Sequence, residues 1–273
     1  MTSSRISRRF AERSAQGRAV LVPYVTAGFP SLADTVPLLE ALDDAGADVL
    51  ELGIPFSDPL ADGPTIQASS FRALENGMTV AGVLDMVRRF RETRDTPVVL
   101  FTYLNPIFHY GLDRFCAEAA EAGADGVLLT DLPAGSDPEM EGALERAGLD
   151  LIRLLAPTTA EARIADVVRG GGGFLYYISR TGVTGARTEL RSELASEVDR
   201  IRDRIGLPVA VGFGISSPEQ ARAVAGVADG VVVGSALIQK LEAEGVEGAA
   251  RFVASLRGAM DEGVVGDAAE GDG

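Results

Sequence analysis

The sequence predicts an α/β protein built as a closed (β/α)8 barrel. Three observations carry this expectation. First, a short pattern recurs: Ala45-Gly46-Ala47-Asp48, Ala122-Gly123-Ala124-Asp125, Ala147-Gly148-Leu149-Asp150 and Ala225-Gly226-Val227-Ala228-Asp229 each end a helical pattern and lead into an apolar run. Glycine suits the left-handed residue just past a helix end. Second, these apolar runs do not alternate with polar residues, so both faces are buried, as in a parallel sheet. Third, helical and apolar stretches alternate along the whole chain, which means repeated βα units.

Apolar runs place strands at residues 20–26, 49–53, 98–104, 127–130, 151–155, 174–179, 209–212 and 231–234. Amphipathic patterns place helices at 32–45, 80–94, 112–122, 138–147, 160–168, 191–204, 218–224 and 246–260. Eight units in one chain give the TIM-barrel architecture. The competing open, doubly wound sheet needs edge strands, and no run carries the charges or bulges of an edge. Ile6, Phe10 and Ala11 fall at helical spacing, so an extra N-terminal helix is expected across one end of the domain. Two loops are longer than a βα turn requires: 55–77 after strand 2 and 180–189 after strand 6. Residues 1–260 form a single domain in this reading, and the acidic, glycine-rich stretch 261–273 is expected to be a disordered tail.

Composition narrows the function. The 273 residues are 46% hydrophobic, with a formal net charge of −15. A field of that sign repels nucleic acid and anionic lipid, and no apolar run is long enough to span a bilayer. Cys116 is the only cysteine, which excludes an internal disulfide and suits a reducing compartment such as the cytoplasm. The only lysine, Lys240, lies beyond strand 8 in a helical pattern, so an imine-forming aldolase is not expected. One histidine, His109, cannot supply the imidazole cluster of a metal-dependent aldolase. Neither imine chemistry on a lysine nor a histidine-held metal is therefore expected. Carboxylates, hydroxyls and backbone amides remain.

Glu51 is the most conspicuous carboxylate. It sits inside the buried run Val49-Leu50-Glu51-Leu52-Gly53, near its C-terminal end. There desolvation raises a pKa toward the range a general acid or base needs. The competing reading is a structural ion pair with an interior arginine. Asp62 follows in the loop Ser57-Asp58-Pro59-Leu60-Ala61-Asp62-Gly63-Pro64. It is either a second catalytic carboxylate or the cap of a helix beginning near Pro64. Glycines cluster after the last strands: Gly182 and Gly185 after strand 6, Gly212 and Gly214 after strand 7, and Gly234-Ser235 opening a short helix after strand 8. Amides at such turns and at a helix N-terminus bind phosphate without a lysine; the plainer alternative is that the glycines only close tight turns. Asp131, ending strand 4, is expected to orient loops, and Cys116 to fill core.

These stretches resemble the tryptophan synthase alpha family. The resemblance rests on Pro23-Tyr24-Val25-Thr26-Ala27-Gly28, the long run from Glu51 to Pro64, Tyr103-Leu104-Asn105-Pro106, Asp131-Leu132-Pro133, Ser179-Arg180-Thr181-Gly182-Val183-Thr184-Gly185 and Gly212-Phe213-Gly214-Ile215-Ser216. It implies retro-aldol cleavage of indole-3-glycerol phosphate to indole and glyceraldehyde 3-phosphate, a lyase reaction of tryptophan biosynthesis that needs no metal and no organic cofactor. Under it, Glu51 matches the catalytic acid/base and Asp62 the carboxylate that holds the indole N–H. Tyr176 matches a tyrosine near Glu51; Tyr24, Ile66, Phe101, Leu128 and Phe213 match the walls around the indole ring. Gly185, Gly214, Gly234 and Ser235 match a phosphate cup. Asp58 and Pro59 fall where the family meets its partner, a pyridoxal-phosphate-dependent beta subunit, in an alpha–beta–beta–alpha heterotetramer. Phe29 and the acidic tail depart from the family pattern. Other phosphate-binding barrels, and a non-catalytic barrel that only activates a partner, are the alternatives; indole release from purified protein separates them.

Overall fold

A computed structural model describes residues 4–179, 188–212 and 214–266. Eight parallel strands close in sequence order: β1 (Val20–Thr26), β2 (Leu50–Gly53), β3 (Val98–Thr102), β4 (Gly126–Leu129), β5 (Asp150–Leu155), β6 (Leu175–Ile178), β7 (Val209–Gly212) and β8 (Gly230–Val233), with β8 pairing back onto β1. Closure leaves no edge strand, which removes the open-sheet alternative. The helices are α1 (Arg5–Ala15), α2 (Thr35–Asp44), α3 (Pro64–Glu75), α4 (Val80–Arg91), α5 (Leu104–Tyr110), α6 (Leu112–Ala122), α7 (Pro138–Arg146), α8 (Ile164–Val167), α9 (Thr188–Arg202), α10 (Pro218–Ala225) and α11 (Ser235–Gly266). Every strand predicted from the apolar runs is present.

Side chains alternate between two cores. Outward residues such as Leu21, Leu50, Leu52, Leu100 and Val211 pack under the helices. Inward residues Val20, Val22, Val49, Val99, Leu128, Ile152, Phe174, Ala210 and Val232 fill the barrel. Helix α1 plugs the bottom of that interior with Ile6 and Phe10, and the Phe10 ring lies 5.2 Å from Phe174. This is the expected N-terminal helix, and its face follows from the i, i+4 spacing.

The recurring Asp has a structural task. Asp48 is fully buried and accepts the Leu21 N–H at 2.9 Å; Asp125 accepts Val98 N–H at 2.8 Å and Asp229 accepts Val209 N–H at 2.7 Å. Each carboxylate thus satisfies an amide at the start of the preceding strand or its neighbour. Arginines then neutralise them: Arg13 and Arg257 sit 2.6 and 3.0 Å from Asp48, and Arg5 and Arg91 sit 2.5 and 2.6 Å from Asp125. Two of these arginines belong to α1, so the plug is held by charge as well as by its apolar face.

Three boundaries differ from the sequence reading. Strand 3 stops at Thr102, and Leu104 opens α5 instead of ending the strand. The Leu104 N–H is taken by Asp131 Oδ1 at 2.9 Å, a cap supplied from 27 residues away that no local pattern reveals. That is the loop-orienting role expected of Asp131. The long loop after strand 2 contains a whole helix, α3, beginning at Pro64 as the proline suggests. The final helix runs to Gly266, broken at Gly245 (φ 68°), so Asp261 and Glu262 lie within it and pair with Arg257 and Arg222. Helix therefore continues past the expected boundary at residue 260. The long loop expected at 180–189, with Gly182 and Gly185, falls mostly outside the described residues, as do Phe213 and residues 267–273.

Asp48→Asn removes one carboxylate oxygen from a fully buried network and leaves two guanidinium groups short of charge. We expect a loss of about 3 kcal/mol in urea unfolding, with the far-UV circular dichroism of the folded state unchanged.

Candidate active site

The two-residue period that buries Val49 also turns Glu51 inward, one layer nearer the C-terminal mouth. Parallel register sets Tyr24 beside it on β1. Phe101, Leu128 and Tyr176 face the same space from β3, β4 and β6. The Tyr24 and Phe101 rings meet edge to face at 5.1 Å. Two glycines make room for this layer: a Cβ on Gly53 would collide with the Tyr24 hydroxyl, and one on Gly212 with the Tyr176 hydroxyl. The requirement for glycine in these two strands is thus a requirement for tyrosine across from them.

Glu51 is 1% exposed, and its Oε1 has no hydrogen-bond partner among the described residues. Among the described residues the interior-arginine alternative is not met. Buried Arg153 pairs with Glu141 at 2.7 Å, and buried Arg257 with Asp48 and Asp261. Desolvation without compensation pushes Glu51 up to about 8.

Asp62 lies in the loop after β2. Burial pushes it up to about 6, and a hydrogen bond from Tyr103 works in the opposite direction. The same Tyr103 hydroxyl accepts the Ala61 N–H at 3.0 Å. The helix-cap reading of Asp62 is not met: Gly63 is the N-cap of α3, and no side chain caps it. Helix α3 frames the loop instead. Gln67 Nε2 donates to the Asp62 carbonyl at 2.9 Å and to that of Pro59 at 3.3 Å. Ser70 Oγ accepts from the Phe56 amide at 2.9 Å and donates to its carbonyl at 3.0 Å.

Tyr24 and Tyr176 are both raised well above the ordinary phenol range, first by burial and then by the two carboxylates. Tyr103 is pushed up to about 12 by burial and Asp62. All three stay protonated at neutral pH, so the mouth holds two carboxyl groups among neutral phenols and apolar walls.

The other predicted residues fall as follows. Ile66 is buried on α3, facing Gly234. Gly214 (φ 71°) follows β7, and Gly234 and Ser235 follow β8 at the N-terminus of α11. Since β7 and β8 are paired, these two loop starts are neighbours. A Cβ on Gly234 would sit 3.7 Å from Tyr24 and 3.9 Å from Ile66, so the phosphate candidates and the aromatic wall share one opening. Gly185 and Phe213 lie outside the described residues. Asp58 is exposed and Pro59 is buried, so Pro59 supports the loop from below while Leu60 next to it is 90% exposed. His109 is exposed on α5 and Cys116 is buried in α6, as the sequence suggested. Lys240 pairs with Glu244 at 2.8 Å. Among the described residues no group of three His, Cys, Asp or Glu side chains is placed to hold a metal ion.

Sequence reasoning assigned no role to Tyr103, Thr26, Gln67, Ser69 or Ser70. The i, i+2 step from Tyr24 to Thr26 was a readable signal. The serines and Gln67 carried none, because their partners lie on other elements.

Comparison with known proteins agrees with this geometry. Residues 10–264 match the family model described as tryptophan synthase alpha chain. The chain belongs to the tryptophan synthase alpha chain family. It is 53% identical over 258 residues to the tryptophan synthase alpha chain of Citrifermentans bemidjiense, covering 93% of this chain and 97% of that one. It is 55% identical over 240 residues to that of Gluconacetobacter diazotrophicus, covering 88% of each. Among solved structures, the alpha subunit from Legionella pneumophila superposes with a TM-score of 0.88 at 40% identity, covering 96% of this chain and 100% of that one. A chain of the Mycobacterium tuberculosis tryptophan synthase gives 0.86 at 36% identity, covering 94% and 98%. As a tryptophan synthase alpha chain, the protein is a lyase that cleaves indole-3-glycerol phosphate in tryptophan biosynthesis. Among the described residues no helix is long and apolar enough to cross a membrane.

The raised carboxyl groups have a thermodynamic signature. A carboxyl whose folded pKa exceeds its unfolded one makes the native state bind more protons, so stability falls as pH rises between the two values. For Glu51 that window runs from its ordinary value of 4.5 to about 8. Glu51→Gln should therefore raise Tm, with a larger gain near about pH 8.5 than near about pH 5. Equal gains at both pH values would contradict the desolvated carboxyl.

Proposed function

We propose that Glu51 and Asp62 carry the cleavage chemistry as an unequal acid–base pair. The observation behind this reading is the isolation of Glu51: a carboxyl in the barrel interior without a partner for Oε1 among the described residues, pushed up to about 8 by burial, while burial pushes Asp62 up to about 6. Between those values Glu51 holds its proton and Asp62 is ionised. Glu51 donates its proton to C3 of the indole, which makes an electrophilic indolenine. Asp62 accepts the indole N–H and stabilises the positive charge that develops on nitrogen. Glu51, now a carboxylate, takes the proton of the glycerol hydroxyl on the carbon attached to the ring, and the C–C bond breaks in the retro-aldol sense. The net change at Glu51 is zero: one proton leaves for carbon and one returns from oxygen.

Amides at Gly214, Gly234 and Ser235, with Gly185 added from the loop after β6, are proposed to hold the phosphate. The start of α11 supports this, since the positive end of a helix dipole attracts an anion in a chain otherwise strongly negative. Tyr24, Ile66, Phe101, Leu128, Tyr176 and Phe213 are proposed to enclose the indole ring. We place the reaction in the cytoplasm.

The proposed partner is the beta subunit of tryptophan synthase, a pyridoxal-phosphate enzyme, in an alpha–beta–beta–alpha assembly. Two features support a docking face on the rim of β2 and β3. Leu60 and Phe108 are among the few large apolar side chains left exposed. A cavity of about 400 Å³ opens between the loop after β2 and α5, lined by Phe56, Met78, Asn105, Pro106 and His109. Asp58 and Leu60 stand exposed further along the same loop, and a partner pressing on this loop presses on the segment that carries Asp62.

Indole release tests the chemistry. Glu51→Gln should leave less than about a tenth of the wild-type rate, with substrate binding kept, and Asp62→Asn should be nearly as damaging. A Cβ at Gly234 meets only ordinary van der Waals contacts, while Gly234→Asp sets a carboxylate in the proposed phosphate cup, so its KM should rise steeply. An unchanged KM in the folded variant would remove the cup from this reading.

Titrating purified beta subunit into the same assay should raise the rate at least about tenfold, equivalent to about 1.4 kcal/mol of preorganisation. Leu60→Asp should shift that titration to higher partner concentration. A flat response would argue for a lyase that works alone.

A further inference from the structure

Behind the aromatic wall lies a row of three buried hydroxyls. The Tyr24 hydroxyl is 3.3 Å from Thr26 Oγ1, Thr26 Oγ1 is 2.7 Å from Ser69 Oγ, and Ser69 Oγ donates to the Ile66 carbonyl at 2.8 Å. Thr26 and Ser69 are each 1% exposed, so bulk water does not enter the row. Distances alone do not say which hydroxyl donates in the first two contacts. Counting hydrogens does. A carbonyl has none to give, so the hydrogen on the Ser69–Ile66 contact belongs to Ser69. Ser69 then has none left, and Thr26 supplies the hydrogen of the Thr26–Ser69 contact. Thr26 is spent in turn, and Tyr24 supplies the hydrogen of the Tyr24–Thr26 contact. Three contacts and three hydrogens close in one direction only.

We propose that Thr26 and Ser69 are positioning residues that hold the hydroxyl hydrogen of Tyr24 away from Glu51 and Asp62. The titratable groups facing this point are Glu51 from β2, Asp62 from the loop after it, Tyr103 at the end of β3 and Tyr176 from β6. Among the described residues, neither carboxyl is paired with an arginine or lysine. A phenol free to rotate beside two such carboxyls would donate to one of them. That bond would stabilise the carboxylate form and pull its pKa down. Anchored through Thr26 and Ser69 to helix α3, Tyr24 offers the site only lone pairs. Glu51 is thereby left without a donor for Oε1, and Asp62 takes its hydrogen bond from Tyr103 alone. The row thus protects the proton that Glu51 must deliver to carbon. It also ties the ring wall on β1 to the helix that frames the Asp62 loop.

This inference rests on Glu51 and Asp62 being the acid–base pair, and the test is the pH dependence of kcat/KM for indole release. Thr26→Val keeps shape but removes the acceptor, so the Tyr24 hydrogen turns to a carboxyl. At least one limb of the profile should move to lower pH, on the order of half a unit. Ser69→Ala, which loosens the row one step further back, should move the same limb in the same direction by less, and carries the test should Thr26→Val not fold. Placing either substitution in a Tyr24→Phe background should abolish the shift, because no hydrogen remains to be redirected. Limbs that coincide with wild type in both single variants, whatever their Tm, would overturn the proposal. So would a shift that persists without the Tyr24 hydroxyl. Failure of the underlying assignment would appear separately, as retained indole release by Glu51→Gln.

Discussion

The mouth of this barrel depends on taking one carboxyl out of water. Glu51 owes its properties to closure of the sheet: eight paired strands leave no route for solvent from the sides, and α1 stops the bottom with Ile6 and Phe10. The cost of an uncompensated buried carboxyl is several kcal/mol at neutral pH in real proteins. It is met by everything that makes the barrel stable, including the fully buried Asp48 network at the opposite end. The two ends use carboxylates in opposite ways. Asp48 and Asp125 are surrounded by guanidinium groups and strand amides, which commit them to holding the fold together. Glu51 has neither, which keeps its proton available near neutral pH.

Asp62 illustrates how a loop residue is given the precision of a strand. It lies on a segment rich in proline and glycine, which alone would place it loosely. Helix α3 and Tyr103 remove that freedom: Gln67 holds two carbonyls of the loop, Ser70 holds both backbone groups of Phe56, and Tyr103 takes the Ala61 amide while donating to Asp62. The same helix reaches β1 through Ser69 and Thr26. The exposed side of the loop, at Asp58 and Leu60, is the face proposed for a partner, and it lies on the same segment as Asp62.

Charge poses a problem that backbone geometry solves. A chain of net charge −15 must hold an anionic phosphate, and its single lysine is committed to Glu244 at the surface. The starts of the loops after β7 and β8 lie side by side because those strands pair in register, which brings Gly214 next to Gly234 and Ser235. Amides at these turns and the helix dipole are the proposed source of a local positive potential, in place of a mobile cation. The strong negative field elsewhere does not oppose this at short range, since exposed charges are screened over about 8 Å at physiological salt.

The amino-acid sequence by itself determined the architecture and which side chains face the barrel's mouth. Glycine-capped helices alternating with continuous apolar runs impose parallel βα units, and the two-residue period turns Tyr24, Glu51, Phe101, Leu128 and Tyr176 to the inside once those runs are strands. The run from Glu51 to Pro64 further marks the family. Tertiary structure alone decided what each residue experiences. No pattern near Leu104 announces that Asp131 will cap it and end β3 early. Nothing local says that Asp62 meets Tyr103 rather than capping α3, that Pro59 turns inward while Leu60 stands clear, or that Ser69 closes a hydroxyl row to Tyr24. Strand and helix periods are local steric properties, legible in a window of a few residues. Hydrogen-bond partners and desolvation depend on residues brought together from distant points of the chain, so they exist only after the barrel has closed.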